Sequence, residues 1–416
     1  MSSIRRSLDL FWEKNGQEIQ AILSGRMSRF FRTDNFEKEE KGVVVFVFHS
    51  VEPVRFEKQL RYLTKNEYTT VGSDSLLEIS KERRGNSPRT VALTFDDATG
   101  SFWATAFPLL KKYGFRAILF AIPGLVPDDS QTYPNLEDVW AGRSPFEEIV
   151  HRERLQPLCT WSELIEMHQS GIVDVQSHSL THSRINVSPR IVDFIHPEFD
   201  SFFYGNVNVP ISRNDNAERP LRKMRLGAPV YESTSRLTGR RRLLEDPAVG
   251  ERLVRYVQEN GETAFFSRST WRHELERTYR GLVKRAGIHI AYESSQETEA
   301  AIRLELTKSK EILENKLPGK NIKHFCYPWF QGSPLSERIA GECGYHSVFY
   351  GLENWHDNHE PNKLPVRIRR ISEEYLFCIP GKGKKAIINV WAAKFYQFIF
   401  KARMDKKGLS NRHRAD

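Results

Sequence analysis

The sequence predicts an α/β fold in which buried strands alternate with amphipathic helices. Apolar, β-branched runs of strand length recur along the chain, and segments with helical spacing of apolar residues lie between them. This alternation favours a parallel sheet or barrel, because parallel neighbours need a crossover and the crossover is usually a helix. With 416 residues, the chain is long for one ordinary domain, but α/β barrels with insertions reach this size.

The predicted elements follow one another in a regular order along the chain. The strands cover residues 43–51, 91–95, 116–122, 172–178, 323–328 and 346–351. The helices cover residues 55–66, 101–114, 161–171, about 293–317 and 333–344. In the first helix, Phe56, Leu60 and Leu63 share one face. The rhythm breaks at about 186–290, and this Arg-rich stretch is interpreted as an insertion of loops and helices.

We therefore divide the chain into three parts. Residues 1–42 form a basic amphipathic helical segment and a linker, residues 43–380 form the α/β domain, and residues 381–416 form a basic amphipathic helix and tail. One face of this last helix carries the apolar residues Ile388, Trp391, Phe395, Phe398 and Ile399. Lys394 interrupts the run, which favours a helix lying on a membrane surface over one that spans it. A helix packed on the barrel is the open alternative.

Charge and composition limit the classes of molecule that the protein is expected to bind. The net charge of +9 is compatible with nucleic acid, an anionic membrane or an acidic glycan. No nucleic-acid-binding signature accompanies the charge, so we expect no nucleic-acid partner. Charges interrupt the apolar runs, and we predict neither an export signal nor a transmembrane helix. The expected location is the cytoplasm, with peripheral attachment to the inner face of the membrane as an open alternative. The four cysteines are widely spaced and are interpreted as ordinary thiols.

Polar residues follow two of the predicted strands at the points where those strands end. Asp96 and Asp97 follow the strand at 91–95, and His178 and His182 occur where the strand at 172–178 ends. Functional groups gather at the carboxyl ends of parallel strands. A spacing of four directs both imidazoles the same way on a helical turn. Together with Asp97 they would form a set of two histidines and one carboxylate suited to Zn²⁺ or another divalent metal.

Three segments carry a resemblance to a known family. "TFDD", "SHSLTHS" and "FCYPWFQG" resemble, in this order, the first three motifs of the polysaccharide deacetylases (NodB-like, carbohydrate esterase family 4). The resemblance covers roughly residues 43–185 and 290–372. It implies a distorted (β/α) barrel of the NodB type and metal-dependent removal of N-acetyl groups from amino sugars. The substrate would be a polysaccharide, glycolipid or envelope precursor; lipid-linked and anionic forms stay open.

The resemblance also implies roles for individual residues. Asp96 would be the general base, and Asp97, His178 and His182 would bind the metal, most simply Zn²⁺, with Co²⁺, Ni²⁺ and Mn²⁺ as alternatives. The backbone N–H of Tyr327 would bind the oxyanion.

The general acid is harder to assign, because the late Leu-x-His motif of many family members has no good copy here. The opening "VFVFHSVEPVRF" resembles a subgroup in which an early strand-end histidine takes this role, so we predict His49 as the acid. A strand-end histidine bonded to a loop carbonyl is the alternative. His356 and His359 are weaker candidates.

Two departures from the family pattern need a structural answer. Ala98 stands where glycine is usual, so either the turn needs no positive φ there or it is adjusted. The arginine usually found near the third motif is absent. Arg367 or Arg369 would then steady Asp96, unless these are surface charges.

Other functions stay open beside the deacetylase. One is a catalytically inactive member that binds glycan, and another is a hydrolase of a different non-peptide C–N bond. A third, a membrane-attached structural protein, would leave the metal set unexplained. The Arg-rich insertion is either a lid that binds a phosphate or carboxylate, or a solvated basic loop.

Overall fold

The computed structural model describes seven stretches of the chain and four isolated positions. The stretches are 43–82, 89–128, 130–152, 156–197, 225–286, 291–351 and 364–406, and the positions are 16, 19, 20 and 199. Most of the predicted N-terminal segment therefore lies outside the described residues. By its internal contacts the chain divides into unit 1, residues 1–121, 128–176 and 346–416, and unit 2, residues 122–127 and 177–345.

Strands and helices alternate through most of the described chain. The strands are β1 (Val44–Phe48), β2 (Thr69–Thr70), β3 (Thr90–Phe95), β4 (Ala117–Ala121), β5 (Val173–Ser177), β6 (Arg184–Phe194), β7 (Pro229–Ser235), β8 (Leu243–Leu244), β9 (Ala291–Tyr292), β10 (His324–Cys326), β11 (Ser347–Tyr350), β12 (Val366–Arg369) and β13 (Ile371–Ser372). The α-helices are α1 (Pro53–Lys65), α2 (Ser73–Glu82), α3 (Phe107–Tyr113), α4 (Leu136–Trp140), α5 (Phe146–Val150), α6 (Trp161–Gln169), α7 (Pro247–Glu259), α8 (Trp271–Ala286), α9 (Ser295–Lys316), α10 (Pro334–Glu342) and α11 (Ile387–Lys406).

Unit 1 is built on a sheet whose strands neighbour one another in the order β5-β4-β3-β1-β13. β1 pairs in parallel with β3 and β13, and β3 pairs in parallel with β4. β11 and β12 form another parallel pair. The chain runs through helices between these strands, so the predicted (β/α) organisation is confirmed.

Apolar side chains on β1 and β3 explain why these strands lie in the middle of the sheet. Phe48 pairs with Phe95 in the parallel register, and their rings stack with centroids 4.7 Å apart. Both rings are buried and also contact Phe56 of α1, as the helical spacing predicted for that residue. Strands buried on both faces become nearly continuous apolar runs in sequence, which is why the periodicity located them.

Local capping chemistry sets the helix ends of unit 1. Glu52 begins α1 because its carboxylate accepts hydrogen bonds from the first backbone N–H groups, at Val54 and Arg55. Gly114 ends α3 in the left-handed conformation, at φ 70°, as predicted. A π-helical segment, Phe102–Ala106, precedes α3.

Unit 2 contains the long helix α9, the strand β10 and the helix α10. Ser294 begins α9 with a capping box in which its side chain and that of Glu297 exchange bonds with backbone N–H groups. β10 pairs in parallel with the last residue of β5, through Phe325 and Ser177. The predicted helix at about 293–317 and strand at 323–328 are confirmed with small shifts of their ends.

The insertion contains strands as well as helices, so the expectation of loops and helices was incomplete. β6 and β7 pair antiparallel, with register shifts between Asn186 and Asp193. β8 and β9 form a second antiparallel pair. The alternation of β6 escaped sequence reading because Pro189 and irregular pairing interrupt its period of two.

Candidate active site

Asp96 of unit 1 lies directly after β3 and is 2% exposed. Its backbone N–H donates to the carbonyl of Phe48 at 3.0 Å, which ties the end of β3 to the end of β1. Arg370 donates to both carboxylate oxygens, Nη1 to Oδ1 at 2.6 Å and Nη2 to Oδ2 at 2.9 Å. Such a bidentate pair fixes the direction of a carboxylate as well as its position.

The arginine that steadies Asp96 is thus Arg370, and the expectation of Arg367 or Arg369 was wrong. Side chains alternate between the two faces of a strand, and Ile368 and Arg370 are buried whereas Arg367 and Arg369 are half-buried. The sequence "RIRR" offers three arginines, and a shift of one position reverses the face. Arg370 also donates to Thr94 Oγ1 at 3.3 Å, and its guanidinium lies over the ring of Phe120.

His49, the predicted acid, follows β1 directly. Its side chain is 53% exposed, and its Nε2 lies 3.9 Å from Oδ2 of Asp96. This separation is beyond hydrogen-bonding distance but leaves the two groups at one end of a pair of parallel strands. The predicted base and the predicted acid are therefore close together within unit 1.

The turn after Asp96 does adopt positive φ, at Asp97 (69°) and at Ala98 (52°). The alternative that Ala98 marks a turn without positive φ is therefore wrong. A left-handed conformation costs a residue with a Cβ atom roughly 1 kcal/mol. The carbonyl of Ala98 accepts a hydrogen bond from the N–H of Cys159 at 2.8 Å, which helps to hold the turn. Strained backbone of this kind is concentrated at functional sites.

His178 and His182 of unit 2 lie close together, with ring centroids 5.0 Å apart. They lie on a non-helical loop and not on a helical turn, which corrects the expectation. Ser179 and His182 have positive φ, 67° and 54°, and such values are incompatible with a helix. The N–H of His182 donates to Oγ of Ser179 at 2.9 Å and closes the turn.

The orientation of His178 fits the role of a metal ligand. Its Nδ1 lies 2.9 Å from the carbonyl oxygen of Cys326. A carbonyl only accepts, so Nδ1 carries the proton in this bond and Nε2 presents its lone pair, as is usual for metal-bound histidines. Both imidazoles are buried or nearly so, and the ring of His182 contacts that of Trp329 at 4.9 Å between centroids.

Tyr327 of unit 2 is fully buried and follows β10. Its hydroxyl accepts a hydrogen bond from Ser336 at 3.3 Å, and its ring packs against Phe325. The side chain therefore has a structural role, and the backbone N–H is the group that fits the predicted oxyanion role. His356 and His359, the weaker acid candidates, lie outside the described residues.

Several described arginines of the insertion pair with acidic groups of unit 2. Arg236 contacts both carboxylate oxygens of Glu293, and Arg241 donates to the Glu293 carbonyl. Arg225 pairs with Glu251 at the surface. Arg236 is nearly buried, and its bonds to Glu293 give it a structural role.

Sequence reasoning missed two residues that the structure connects with the predicted site. One is Arg370, which directly follows β12 and which the alternation of that strand identifies only once the buried face is known. The other is Glu305 on α9, 9% exposed, which binds residues 180 and 181. No local motif marks Glu305, because its partners are more than a hundred residues away in sequence.

Comparison with known proteins agrees with the motifs. Residues 83–195 match the family model "Polysaccharide deacetylase". A poly-β-1,6-N-acetyl-D-glucosamine N-deacetylase of Escherichia coli K12 is 28% identical over 135 residues, 32% of this chain and 18% of that protein. A protein of the same description from Staphylococcus aureus MRSA252 is 27% identical over 141 residues, 34% of this chain and 40% of that protein. The chain thus spans well under half the length of these curated relatives.

Solved structures give a weaker likeness. A de-N-acetylase from Aggregatibacter actinomycetemcomitans has a TM-score of 0.46 and 14% identity, covering 84% of this chain and 99% of that one. The BpsB deacetylase domain from Bordetella bronchiseptica has a TM-score of 0.44 and 17% identity, covering 79% of this chain and 94% of that one.

The adjacent carboxylates of the "TFDD" segment directly follow β3 of the parallel α/β unit. Residues 83–195 of this chain are thus similar to the polysaccharide deacetylases. Among its described helices, none is long and apolar enough to cross a membrane.

Proposed function

We propose that the protein is a metal-dependent hydrolase that removes an N-acetyl group from an amino sugar. The observation that carries the proposal is the group at the ends of β1 and β3: Asp96 held by Arg370, with half-exposed His49 3.9 Å away. General acid–base catalysis of amide hydrolysis needs a base that accepts a proton from the attacking water and an acid that protonates the leaving amine. The curated relatives are named as deacetylases of poly-β-1,6-N-acetyl-D-glucosamine, which supports the same class of substrate here.

We propose further that Asp97, His178 and His182 bind the metal. Asp97 lies two residues after β3, and His178 directly follows β5. The bond from His178 to the Cys326 carbonyl leaves Nε2 as the ligand atom. Two histidines and one carboxylate suit Zn²⁺, and Co²⁺, Ni²⁺ and Mn²⁺ are the alternatives. When bound, the ion supplies Lewis acidity toward the acetyl carbonyl and the attacking water.

The chain's own residues then divide the remaining work. Asp96 takes the proton of the water as its oxygen attacks the acetyl carbon, and Arg370 keeps the carboxylate aimed. The N–H of Tyr327 donates to the oxyanion of the tetrahedral intermediate. His49 gives a proton to the nitrogen as the C–N bond breaks, so that acetate and a free amine leave.

The substrate class is a polysaccharide, glycolipid or envelope precursor that contains N-acetylglucosamine. A lipid-linked form would fit attachment to the inner face of the membrane in the cytoplasm. The support for attachment comes from α11, where Ile388, Phe395 and Tyr396 are 57–70% exposed. Lys394, which interrupts the apolar run in the sequence, has a side chain that is 10% exposed and pairs with Glu374 at 2.9 Å.

Flotation with liposomes tests the membrane contact of α11. We expect the wild type to float with vesicles that contain anionic lipid, and Ile388→Ser/Phe395→Ser to stay at the bottom, because exposed apolar side chains would insert at the interface. Asn389→Ser, an exposed neighbour on the same helix, is the control and should float. Equal flotation of the wild type and the double variant would remove this proposal.

Metal content and acetate release test the enzyme proposal. We expect about one Zn²⁺ per chain in the wild type and acetate release from N-acetylglucosamine oligomers or glycolipids. Asp97→Ala should lose the metal and the activity together. Asp96→Asn should keep the metal and lose activity by about 10²- to 10⁴-fold, since a base contributes on that order. The exposed Asp128→Asn serves as the control.

Other outcomes of this experiment point to the alternatives. A metal-bearing protein that releases formate or opens a cyclic amide would be a hydrolase of a different C–N bond. A protein that binds glycan equally well as wild type and as Asp97→Ala, with no metal and no acetate release, would be an inactive binding member.

A further inference from the structure

We propose that Glu305 is a positioning residue that holds the loop 179–182 and thereby sets His182 for metal binding. This inference rests on the proposed metal set and goes beyond it, because Glu305 belongs to no motif by which the family was recognised. All of the contacts that carry it lie within unit 2.

The carboxylate of Glu305 accepts hydrogen bonds from the middle of this loop. The N–H of Thr181 donates to Oε2 at 3.0 Å, and the Thr181 hydroxyl donates to Oε1 at 2.5 Å. The N–H of Leu180 donates to the same carboxylate. Among the described residues, these donors to Glu305 come from two consecutive positions just before His182.

Because Glu305 is buried, its hydrogen bonds to the loop matter for the stability of both the carboxylate and the loop. Glu305 is 9% exposed, and this burial raises the pKa of its carboxyl, while the donors at Thr181 and Leu180 act against the rise. A buried carboxyl group is costly without partners, so carboxylate and loop stabilise each other's placement. The rigid body behind the carboxylate is α9, a helix of 22 residues.

The loop needs such a restraint because its backbone is strained. Ser179 and His182 both have positive φ, which non-glycine residues adopt only when their surroundings determine it. The end of β5 before the loop has its own anchor, since Ser177 Oγ lies 2.7 Å from Ser309 Oγ, one turn further along α9 than Glu305. His178 is held separately by the Cys326 carbonyl. Glu305 thus acts on the side of the loop that carries His182.

The inference predicts weaker metal binding with a folded protein. Glu305→Gln retains one acceptor, but its amide NH₂ meets the donors of Thr181. We expect the affinity for Zn²⁺ to fall about 10- to 100-fold, the usual effect of losing a group that orients a ligand. Thr181→Val should lower the affinity in the same direction, and Thr181→Ser, which keeps both donors, should restore the wild-type value.

Competition between the full chain and a chelator for Zn²⁺ measures the affinity of each variant for the metal. Hydrogen exchange of residues 178–183 measures the stability of the loop in the same variants. Glu163→Gln is the matched control: Glu163 is also a buried carboxylate, held by Arg152 and two backbone N–H groups in unit 1. The variant Glu163→Gln should lower the thermal stability of the protein without changing its affinity for Zn²⁺. Faster exchange of the loop in Glu305→Gln supports positioning as distinct from general destabilisation.

The outcomes separate the two proposals. If the wild type does not bind Zn²⁺ or another divalent ion, the metal set fails. If the wild type binds and folded Glu305→Gln binds with equal affinity, only the role of Glu305 is overturned. If Glu305→Gln does not fold, the Thr181→Val and Thr181→Ser pair decides, and equal affinities of these two would also overturn the role.

Discussion

At the scale of single residues, Asp96 and Arg370 show how a reactive carboxylate is held in an apolar interior. Both side chains are almost fully buried, and two hydrogen bonds join them. A carboxylate has about four lone-pair sites, so two bonds from Arg370 leave capacity to accept a proton from water. Removing the arginine would leave the buried charge of Asp96 without a partner. The free-energy cost of this unpaired charge exceeds the net stabilisation that the ion pair provides.

Substitution of Arg370 should therefore reduce stability strongly. We expect Arg370→Met to lower the free energy of unfolding by about 3–5 kcal/mol, as for other broken buried pairs. The double variant Asp96→Asn/Arg370→Met should recover part of this loss, because the uncompensated charge is gone. Urea unfolding measures both. Arg369→Met, at the half-buried last residue of β12, should change stability by less than about 1 kcal/mol. Equal effects at the two arginines would contradict the assignment.

At the scale of elements, α1 is attached to α3 through Glu57. The carboxylate of Glu57 accepts hydrogen bonds from Lys112 at 2.9 Å and from the hydroxyl of Tyr113 at 2.9 Å. Arg61, one turn along α1, completes the cluster at 3.2 Å. Lys112 foremost, together with Tyr113 and Arg61, lowers the pKa of Glu57 to about 2.

The lowered pKa of Glu57 predicts part of the acid sensitivity. Because the folded pKa lies below the unfolded value, the stabilisation is complete above about pH 4.5 and is lost as the pH falls toward 2. Its size at neutral pH is about 1–2 kcal/mol after allowance for partial solvent screening. Urea midpoints of the wild type and Glu57→Gln at pH 7 and pH 3 should converge at the lower pH. Glu78→Gln, at an exposed carboxylate, should show no such convergence.

At the scale of the whole molecule, the chain forms two compact units, and the insertion within unit 2 has its own core. Phe194 of β6 packs in this core with α7 and α8, through Val249, Leu253, Val257 and Leu275. Gly227 lies against it at φ 88°, where a Cβ atom would come within 2.5 Å of Val257 Cγ2. The insertion is therefore a folded part of the protein with its own hydrophobic stabilisation.

This core predicts a local effect of truncation. Leu253→Ala should destabilise the insertion by about 2–5 kcal/mol, because it removes a fully buried side chain and leaves a cavity. Limited proteolysis of the native protein should then cut within residues 225–286 sooner than in the wild type. Leu304→Ala, at a side chain 54% exposed on α9, should leave the rate of cutting unchanged. Unchanged proteolysis of Leu253→Ala would show that the cluster does not stabilise the insertion.

Local signals in the sequence predicted the strands and helices that alternate through the α/β domain, because apolar periodicity and caps such as Gly114 depend on neighbouring residues. Short motifs also identified Asp96, Asp97, His178 and His182 as candidate site residues at the ends of predicted strands. The sequence did not reveal the irregular strand β6, whose alternation is broken along the chain.

Only the tertiary structure decided which of three neighbouring arginines meets Asp96, that His178 and His182 share a strained loop, and that Glu305 binds this loop. Each of these contacts depends on which face of an element is buried or on partners far away in sequence. A local sequence pattern does not show the buried face or the distant partner. The same holds for Lys394, because the sequence pattern does not show its ion pair with Glu374. The local spacing of apolar residues specifies helices and strands. Burial and long-range hydrogen bonds decide which partners each side chain contacts.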